Sequence, residues 1–353
     1  MGELLHRTIE AIRLLDKEAM NKARLRQDQL TKPRGSLGKL EELSIKLAGI
    51  TGKETPRIEH KAIVTMVGDH GVIAEGVSAY PQEVTGQMVY NFLRGGAGIS
   101  VLARHVGARV VIVDMGVAAS LEPHPSLVSK KVASGTRNMA KEPAMSGEQA
   151  LRAIEAGIEV INEEVAKGLD IVGVGDMGIG NTTSSSAICA VITGEPVSRV
   201  TGKGTGIGDE QLAAKVKIIE TALALNKPDA KDAIDILSKV GGFEIGGIVG
   251  VILGAAAQRL PVVIDGFIAG AAALIAVKLC PKVRDYLIAA HVSVETGHRA
   301  MLNYLGLEPV LDLGMRLGEG TGAALAISIV EAAAKVLAEM TTFADAGVSE
   351  KLD

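Results

Sequence analysis

The pattern of apolar residues in the first part of the chain predicts helices. Over Glu3–Leu30 apolar residues recur at helical spacing, with charged residues between them. The segment Thr31–Ser36, which contains Pro and Gly, interrupts this pattern. Ser36 is a candidate N-cap for a second helix that continues to about Ala48. Residues 1–60 are therefore predicted to be helical and charged.

From Lys61 the pattern changes to short apolar runs of the β type, separated by helical segments. Each run is followed by polar residues, and the alternation predicts an α/β fold with a mainly parallel six-stranded sheet flanked by helices. Ligands bind beyond the carboxyl ends of the strands in such sheets, so we expect the site at that edge. The candidate strands are Ala62–Val67, Arg109–Val113, Asp170–Val174, Pro261–Ile264, Tyr286–Ala290 and Pro309–Leu313.

Two further segments complete the predicted architecture. The range 124–143, rich in Pro, Ser, Gly and Asn, is expected to be an irregular surface segment. Near the end of the chain, about Gly322–Phe343 has the pattern of one long helix. We expect this helix to pack on the N-terminal helices. The prediction is then a small helical domain from residues 1–60 and 330–353, and a large α/β domain from residues 61–329.

The most informative stretch is Asp170–Thr183, in which four glycines follow a short apolar run and precede the helix-like run Ser184–Ile192. Glycine lets a backbone approach a ligand closely, and the amides of a helix start can hold an anion. The stretch therefore predicts a cradle for a phosphate or carboxylate. A tight strand-to-helix turn without any ligand is the alternative.

A second glycine cluster, Gly202–Gly208, leads to Asp209 as a candidate N-cap and to a helix that contains Lys215. Lys215 could reach an anionic ligand at the edge of the sheet, or it could be a solvated helix lysine. Gly173–Gly178 also matches the G-x-G-x-x-G fingerprint of dinucleotide-binding proteins. The match is weak, because the only nearby acidic candidate, Glu195, follows too soon for an intervening helix and second strand.

Near the end of the chain a carboxylate, Glu319, stands between two glycines just before the last long helix. Its position at a helix start favours the ionised form, and an ionised, exposed carboxylate in a glycine-lined cleft is a candidate general base. The alternative is a surface glutamate that complements the helix dipole. Asp69-His70, at the end of the first strand, is more typical of a turn with a hydrogen-bonded histidine than of a catalytic pair. Ser78, Tyr80 and Gln87 form a polar and aromatic set that could hold a heteroaromatic ring.

Composition limits the classes of function. The chain of 353 residues has a net charge of −4, so it has no basic excess for nucleic-acid binding. Cys189 and Cys280 lie in apolar runs and are expected to be buried thiols in a reducing, cytoplasmic protein. We expect no export signal and no membrane span, since the apolar region Ile245–Val277 is interrupted by polar and charged residues. No residue spacing suggests a metal site or an activated serine.

Five motifs, taken together and in order, resemble those of the nicotinate-nucleotide–dimethylbenzimidazole phosphoribosyltransferases, which act in assembling the lower nucleotide loop of cobalamin. The resemblance covers essentially the whole chain. It implies a Rossmann-like parallel α/β domain, a small helical domain from both termini, and a homodimer. The motifs are Thr31–Gly38, Gly68–Gly71, Gly173–Thr183, Thr201–Gly206 and Leu317–Ala323.

The resemblance implies transfer of phosphoribose from nicotinate mononucleotide to 5,6-dimethylbenzimidazole, without a cofactor and with inversion at the anomeric carbon. Glu319 matches the family's catalytic base. At Asp176 the family commonly has the longer Glu, so the role of Asp176 near the nicotinate nucleotide is left open. Ser78, Tyr80, Gln87 and Met88 correspond to the segment of the benzimidazole pocket. The other candidate substrate-binding residues are Gly178, Gly180, Asn181, Thr182, Gly204, Lys215, Ser293, Leu317 and Gly318.

Two other functions remain open from the residues alone. A nucleotide-dependent oxidoreductase would use Gly173–Gly178. A non-catalytic sensor of nucleotides or benzimidazoles would use Glu319 only for binding. The preferred lower-ligand base is not determined by the sequence.

Overall fold

The computed structural model describes residues 2–349, and its centre is a six-stranded sheet in which all neighbouring strands are parallel. The strand order is β3-β2-β1-β4-β5-β6. The two central strands are nearly all buried, as expected for a parallel sheet covered on both faces. The strands are β1 Lys61–Gly68, β2 Arg109–Gly116, β3 Leu127–Ser129, β4 Ile171–Met177, β5 Val262–Ile264 and β6 Leu287–Ala289.

Helices cover both faces of the sheet, and each face has its own apolar core. One core joins the sheet to α6, α7, α11 and α12, and the other joins it to α3, α4, α5 and α14. The fold class predicted from the sequence is therefore confirmed. The helices are α1 Glu3–Ala11, α2 Lys17–Gln29, α3 Lys39–Thr51, α4 Glu83–Leu93, α5 Gly98–His105, α6 Gly147–Ala166, α7 Asn181–Thr193, α8 Val197–Val200, α9 Asp209–Asn226, α10 Ala233–Val240, α11 Phe243–Ala257, α12 Phe267–Leu279, α13 His298–Leu305, α14 Thr321–Glu339 and α15 Phe343–Ala346, with 3₁₀ turns at Gly71–Glu75 and Pro281–Tyr286.

The prediction of a sixth strand at Pro309–Leu313 was wrong. The segment Pro309–Leu313 runs beside the end of β6 and donates Val310 N–H to Ala289 O at 2.9 Å, but it makes only an isolated bridge. The sixth strand is instead β3, which lies inside the range 124–143 that we expected to be irregular. Its pairing with β2 is a long-range contact, and such contacts can impose strand structure on a sequence rich in turn formers.

The predicted helix boundaries need three corrections. The first helix is two helices, α1 and α2, and Asp16 caps α2 by accepting Ala19 N–H at 2.9 Å. Ser36 lies in a turn, while Gly38 precedes α3 with φ +49°. Gly208, not Asp209, is the N-cap of α9. Asp16 supplies a side-chain cap that the local pattern did not indicate, whereas Gly38 and Gly208 precede their helices without a side-chain cap.

The helices of the two ends pack together. Arg26 donates to the carbonyl oxygens of Leu337 and Ala338 at 2.6 and 3.1 Å, and Leu30 bridges to Thr342. These contacts bring the ends of the chain together as expected, while the division into two domains stays a prediction. The helix α14 is long and apolar enough to cross a membrane, but 56% of its apolar window is buried in the structure, as in the core helix of a globular protein.

Candidate active site

Two glycine-rich loops meet at the carboxyl edge of the sheet. Glu319 N–H donates to Asp176 O at 3.1 Å, and Thr65 Oγ1 on β1 donates to Glu319 O at 2.9 Å. The approach is close enough that a Cβ on Gly175 would lie 2.3 Å from the Glu319 carbonyl carbon. Glycine in β4 is therefore needed for contact with the Glu319 loop. The loops that follow β4 and precede α14 thus form one site.

Glu319 itself is held in an unusual backbone conformation, with φ +64°. Its side chain is buried, and Oε2 accepts Ile99 N–H at 2.9 Å at the start of α5. Burial raises the pKa of the Glu319 carboxyl above its ordinary value, since the Ile99 hydrogen bond offsets desolvation only in part and Asp265 adds repulsion. The sequence predicted an exposed, readily ionised carboxylate, and this prediction was wrong. The neighbouring glycines have no side chains, so backbone from other segments packs around Glu319.

Asp265, at the end of β5, anchors the same loop. Its Oδ2 accepts Gly320 N–H at 3.1 Å and its Oδ1 accepts Ala323 N–H at 3.0 Å, so it caps the start of α14. Its Oδ1 also lies 3.7 Å from His291 Nε2. A side chain from the end of one strand therefore fixes the backbone that carries Glu319.

A cavity of about 510 Å³ opens beside this loop at the same edge. Nine of the fourteen candidate substrate-binding residues line it, and they come from five separate parts of the chain. The structure thus brings together residues that the sequence only placed in separate motifs. They are Tyr80, Asp176, Gly178, Asn181, Thr182, Gly204, Ser293, Leu317 and Gly318.

Asp176 is buried in the wall of this cavity, where Oδ2 accepts a hydrogen bond from Asn181 Nδ2 at 2.9 Å. Desolvation, together with repulsion from Asp265, Glu244 and Glu319, raises the pKa of the Asp176 carboxyl well above its ordinary value. These surroundings therefore stabilise the neutral form of the Asp176 carboxyl relative to that of a solvated aspartate.

Lys215 reaches the same region from α9. Its Nζ donates to Thr182 Oγ1 at 2.8 Å, on the first turn of α7, and its side chain is buried. The alternative of a solvated lysine is therefore wrong. Burial lowers the pKa of the Lys215 amine to about 8, and attraction to Glu295 opposes this only in part. A partly desolvated amine beside a helix start is suited to hold an anion.

The other predicted residues lie around the cavity rather than in its wall. Ser78 Oγ is 3.2 Å from Thr205 Oγ1, and Ala79 N–H donates to the same hydroxyl, so the Ser78–Tyr80 segment is attached to the Gly202–Gly208 loop. Met88 packs against the apolar cluster that contains Ile99, whose amide contacts Glu319. Gln87 is exposed on α4, and Gly180 lies behind the cavity wall against His70.

Several residues of the cavity wall were not found from the sequence. Thr205 belongs to the Gly202–Gly208 loop, and the others follow the strands β5 and β6 or lie near Leu317; they are Gly266, Phe267, Ile268, His291, Glu295 and Arg316. The polar residues after each strand were the only signal for them. Arg316 donates to Gly204 O at 3.0 Å, so it closes one side of the cavity. Within residues 2–349 no group of three or more His, Cys, Asp or Glu side chains is placed to hold a metal ion.

Comparison with known proteins places the chain in a family. A family model described as phosphoribosyltransferase matches residues 12–348. Proteins named nicotinate-nucleotide–dimethylbenzimidazole phosphoribosyltransferase from Chloroflexus aggregans and Desulforudis audaxviator are 61% and 60% identical over 348 residues, covering 99% of this chain and 99% of each relative. A crystal structure of the protein of that name from Thermus thermophilus superposes with a TM-score of 0.91 at 46% identity, over 96% of this chain and 100% of that one. The chain belongs to the nicotinate-nucleotide–dimethylbenzimidazole phosphoribosyltransferase family.

Proposed function

We propose that this enzyme transfers the phosphoribosyl group of nicotinate mononucleotide to 5,6-dimethylbenzimidazole, giving nicotinate and α-ribazole 5′-phosphate for the nucleotide loop of cobalamin. One observation carries the proposal beyond the family name. The Glu319 loop is hydrogen-bonded to the end of β4 at Asp176, so the Glu319 carboxylate lies next to the cavity that Gly318 and the start of α7 line. The reaction needs these two elements, a base for the acceptor and a cradle for the phosphate.

The 5′-phosphate is assigned to the start of α7. The amides of this helix start carry a partial positive charge, and Thr182 with the Lys215 amine adds a hydroxyl and a cation beside them. Gly204 borders the same place, where a Cβ would lie 2.8 Å from Thr182 Oγ1. The side chains and the helix start thus supply the positive charge that a phosphate requires.

The leaving group requires little help. As the bond between the anomeric carbon and the pyridinium nitrogen breaks, its electron pair neutralises the nitrogen, so nicotinate departs without a general acid. One nitrogen of the benzimidazole attacks the anomeric carbon from the opposite face, which inverts the configuration. The transition state resembles an oxocarbenium ion, as in glycoside hydrolysis. The proton on the other benzimidazole nitrogen must then be removed.

Glu319 is the proposed acceptor of that proton. The Ile99 amide fixes its carboxylate, and the raised pKa brings its basicity closer to neutral pH, where a general base is most effective. Tyr80 lines the cavity, while Met88 belongs to the apolar surroundings of Ile99. These side chains, with Ser78 and Gln87 on the same stretch of chain, are the proposed surroundings of the benzimidazole ring.

The test is incubation with nicotinate mononucleotide and dimethylbenzimidazole, followed by chromatography for free nicotinate. Glu319→Gln keeps the shape of the side chain and removes its basicity, so we expect kcat to fall by ~10²–10⁴ while nicotinate mononucleotide still binds. The matched control is Glu308→Gln on an exposed glutamate that pairs with Lys39, where kcat should not change.

The outcomes separate the proposal from its alternatives. A Glu319→Gln variant that retains more than about a third of wild-type kcat, with chemistry limiting the rate, overturns the assignment of the base. Binding of both ligands by the wild-type protein without release of nicotinate would identify a sensor. A change in absorbance that depends on NADH would identify an oxidoreductase.

A further inference from the structure

The histidine of the motif Gly68–Gly71 links three elements behind the cavity. His70 follows the end of β1 and is fully buried. Its Nε2 lies 2.6 Å from Glu244 Oε1 in the first turn of α11, and its Nδ1 lies 3.1 Å from Ser184 Oγ on α7. One imidazole thus connects the central strand to the helix that carries the proposed phosphate site and to a helix of the core.

This trio has the connectivity of a serine–histidine–carboxylate triad, but its surroundings exclude nucleophilic catalysis. Ser184 is 1% exposed, and its hydroxyl is also within 3.3 Å of Gly241 O, to which it donates. A nucleophile must be able to reach a reacting carbon of the substrate, and this serine faces packed backbone. The trio therefore acts as a link within the fold.

The imidazole also supports the loop that lines the cavity. A Cβ on Gly180 would lie 3.2 Å from His70 Cβ, and one on Gly178 would lie 3.6 Å from His70 Cδ2. The loop backbone therefore packs against the His70 side chain, at its Cβ and at the edge of its ring. Asn181 and Thr182, which line the cavity, follow directly in the chain, so their positions depend on this packing.

We infer that His70 is a positioning residue that sets the affinity for the donor nucleotide through the backbone of Gly178–Thr182. The inference rests on the proposed function, because it takes the start of α7 as the phosphate site. Small displacements of positioning groups weaken binding and catalysis strongly, so groups behind a site control its geometry. Glu244 and Ser184 hold the ring in turn, and all three should behave as one unit.

The test measures the affinity for nicotinate mononucleotide by calorimetry and the KM for dimethylbenzimidazole by the nicotinate-release assay. His70→Asn shortens the side chain and removes both ring contacts, so we expect the Kd for nicotinate mononucleotide to rise about tenfold. The KM for dimethylbenzimidazole should stay within about twofold, because the ring nitrogens of His70 are bonded to Ser184 and Glu244 and to none of the proposed surroundings of the benzimidazole. A purely structural role would lower the melting temperature and leave the Kd of the folded protein unchanged.

Three further single variants and one double variant sharpen the result. His60→Asn is the matched control, an exposed histidine just before the start of β1, and should leave both constants unchanged. Glu244→Gln preserves an acceptor for the ring and should stay close to wild type. Glu244→Ala should reproduce the effect of His70→Asn, and combining the two should add little further loss.

The inference is overturned if folded His70→Asn binds nicotinate mononucleotide with a Kd within about twofold of wild type. Should that variant not fold, Ser184→Ala decides, since it deletes one hydroxyl behind the loop and must raise the same Kd. Wild-type protein that releases no nicotinate would refute the proposed function instead, so the two failures are distinguishable.

Discussion

At the scale of single residues, the environment of Glu319 decides its chemistry. The carboxyl is buried, accepts one backbone hydrogen bond and lies near a second carboxylate, and the balance raises its pKa. The ordinary rule that a helix start favours an ionised acid is outweighed, because desolvation is the largest contribution. The raised pKa makes this carboxylate a stronger base than that of a solvated glutamate.

This environment predicts the pH dependence of catalysis. The active form is the carboxylate, so kcat/KM for nicotinate mononucleotide should rise with pH and level off above the raised pKa of Glu319. The midpoint of this acid limb should lie above 4.5, the ordinary value for glutamate. A pH–rate profile with saturating dimethylbenzimidazole measures it. A limb centred at or below that value would mean that the carboxyl is not desolvated during catalysis.

Stability should respond in the opposite sense. Because the pKa is higher in the folded state, the folded protein binds this proton more tightly than the unfolded chain does. Its stabilising contribution is present below pH 4.5 and is lost as pH rises through the raised pKa. Glu319→Gln should therefore match wild type in melting temperature at low pH and exceed it near neutral pH. Equal melting temperatures throughout that range would contradict the direction of the shift.

At the scale of elements, packing against protein backbone constrains the loop between β4 and α7, in addition to any contact with a ligand. We interpreted its glycines from the sequence as space for a ligand. At Gly178 the nearest atom to an added Cβ is Gly68 O, at 2.2 Å, so the end of β1 occupies that space. Gly178 is therefore needed for the packing of the loop on β1 and at the same time lines the cavity.

Gly178→Ala should destabilise the protein by about 1–3 kcal/mol, because the methyl group must displace backbone rather than a flexible side chain. The control is Gly147→Ala at the start of α6, where an added Cβ meets no atom within 4 Å, and there the change should stay within about 0.5 kcal/mol. Thermal unfolding of both variants makes the comparison. Equal melting temperatures would show that the end of β1 moves aside without cost.

At the scale of the whole molecule, the parallel sheet explains why one edge carries the site. Every strand pair is parallel, so the carboxyl ends of β1, β4, β5 and β6 lie on the same side. Asp176 and the Asp265–His291 pair lie at this edge. The Glu319 loop lies at the same edge, because Asp265 holds the start of α14, which follows that loop. Residues more than two hundred positions apart, such as Tyr80 and Leu317, therefore line one cavity.

The proposed reaction as a whole should not depend on a divalent cation. The leaving nitrogen is already cationic, and Lys215 with the start of α7 supplies positive charge for the phosphate. We expect the rate of nicotinate release to be unchanged after dialysis against EDTA. Loss of activity on chelation, restored by Mg²⁺ or Zn²⁺, would count against this mechanism.

The homodimer and the cytoplasmic location stay predictions. Analytical ultracentrifugation at micromolar concentration tests the homodimer.

The sequence by itself determined the fold class, five of the six strands and the glycine-rich loops that line the cavity. These follow from local patterns, because apolar runs, glycine clusters and caps are properties of neighbouring residues. The tertiary structure alone decided the rest. It placed β3 beside β2, it buried Glu319 and Lys215 and so shifted their pKa values, and it brought His70 under the loop of Gly178. Each of these depends on contacts between distant segments, and desolvation in particular is set by the atoms that surround a group, which no local pattern records.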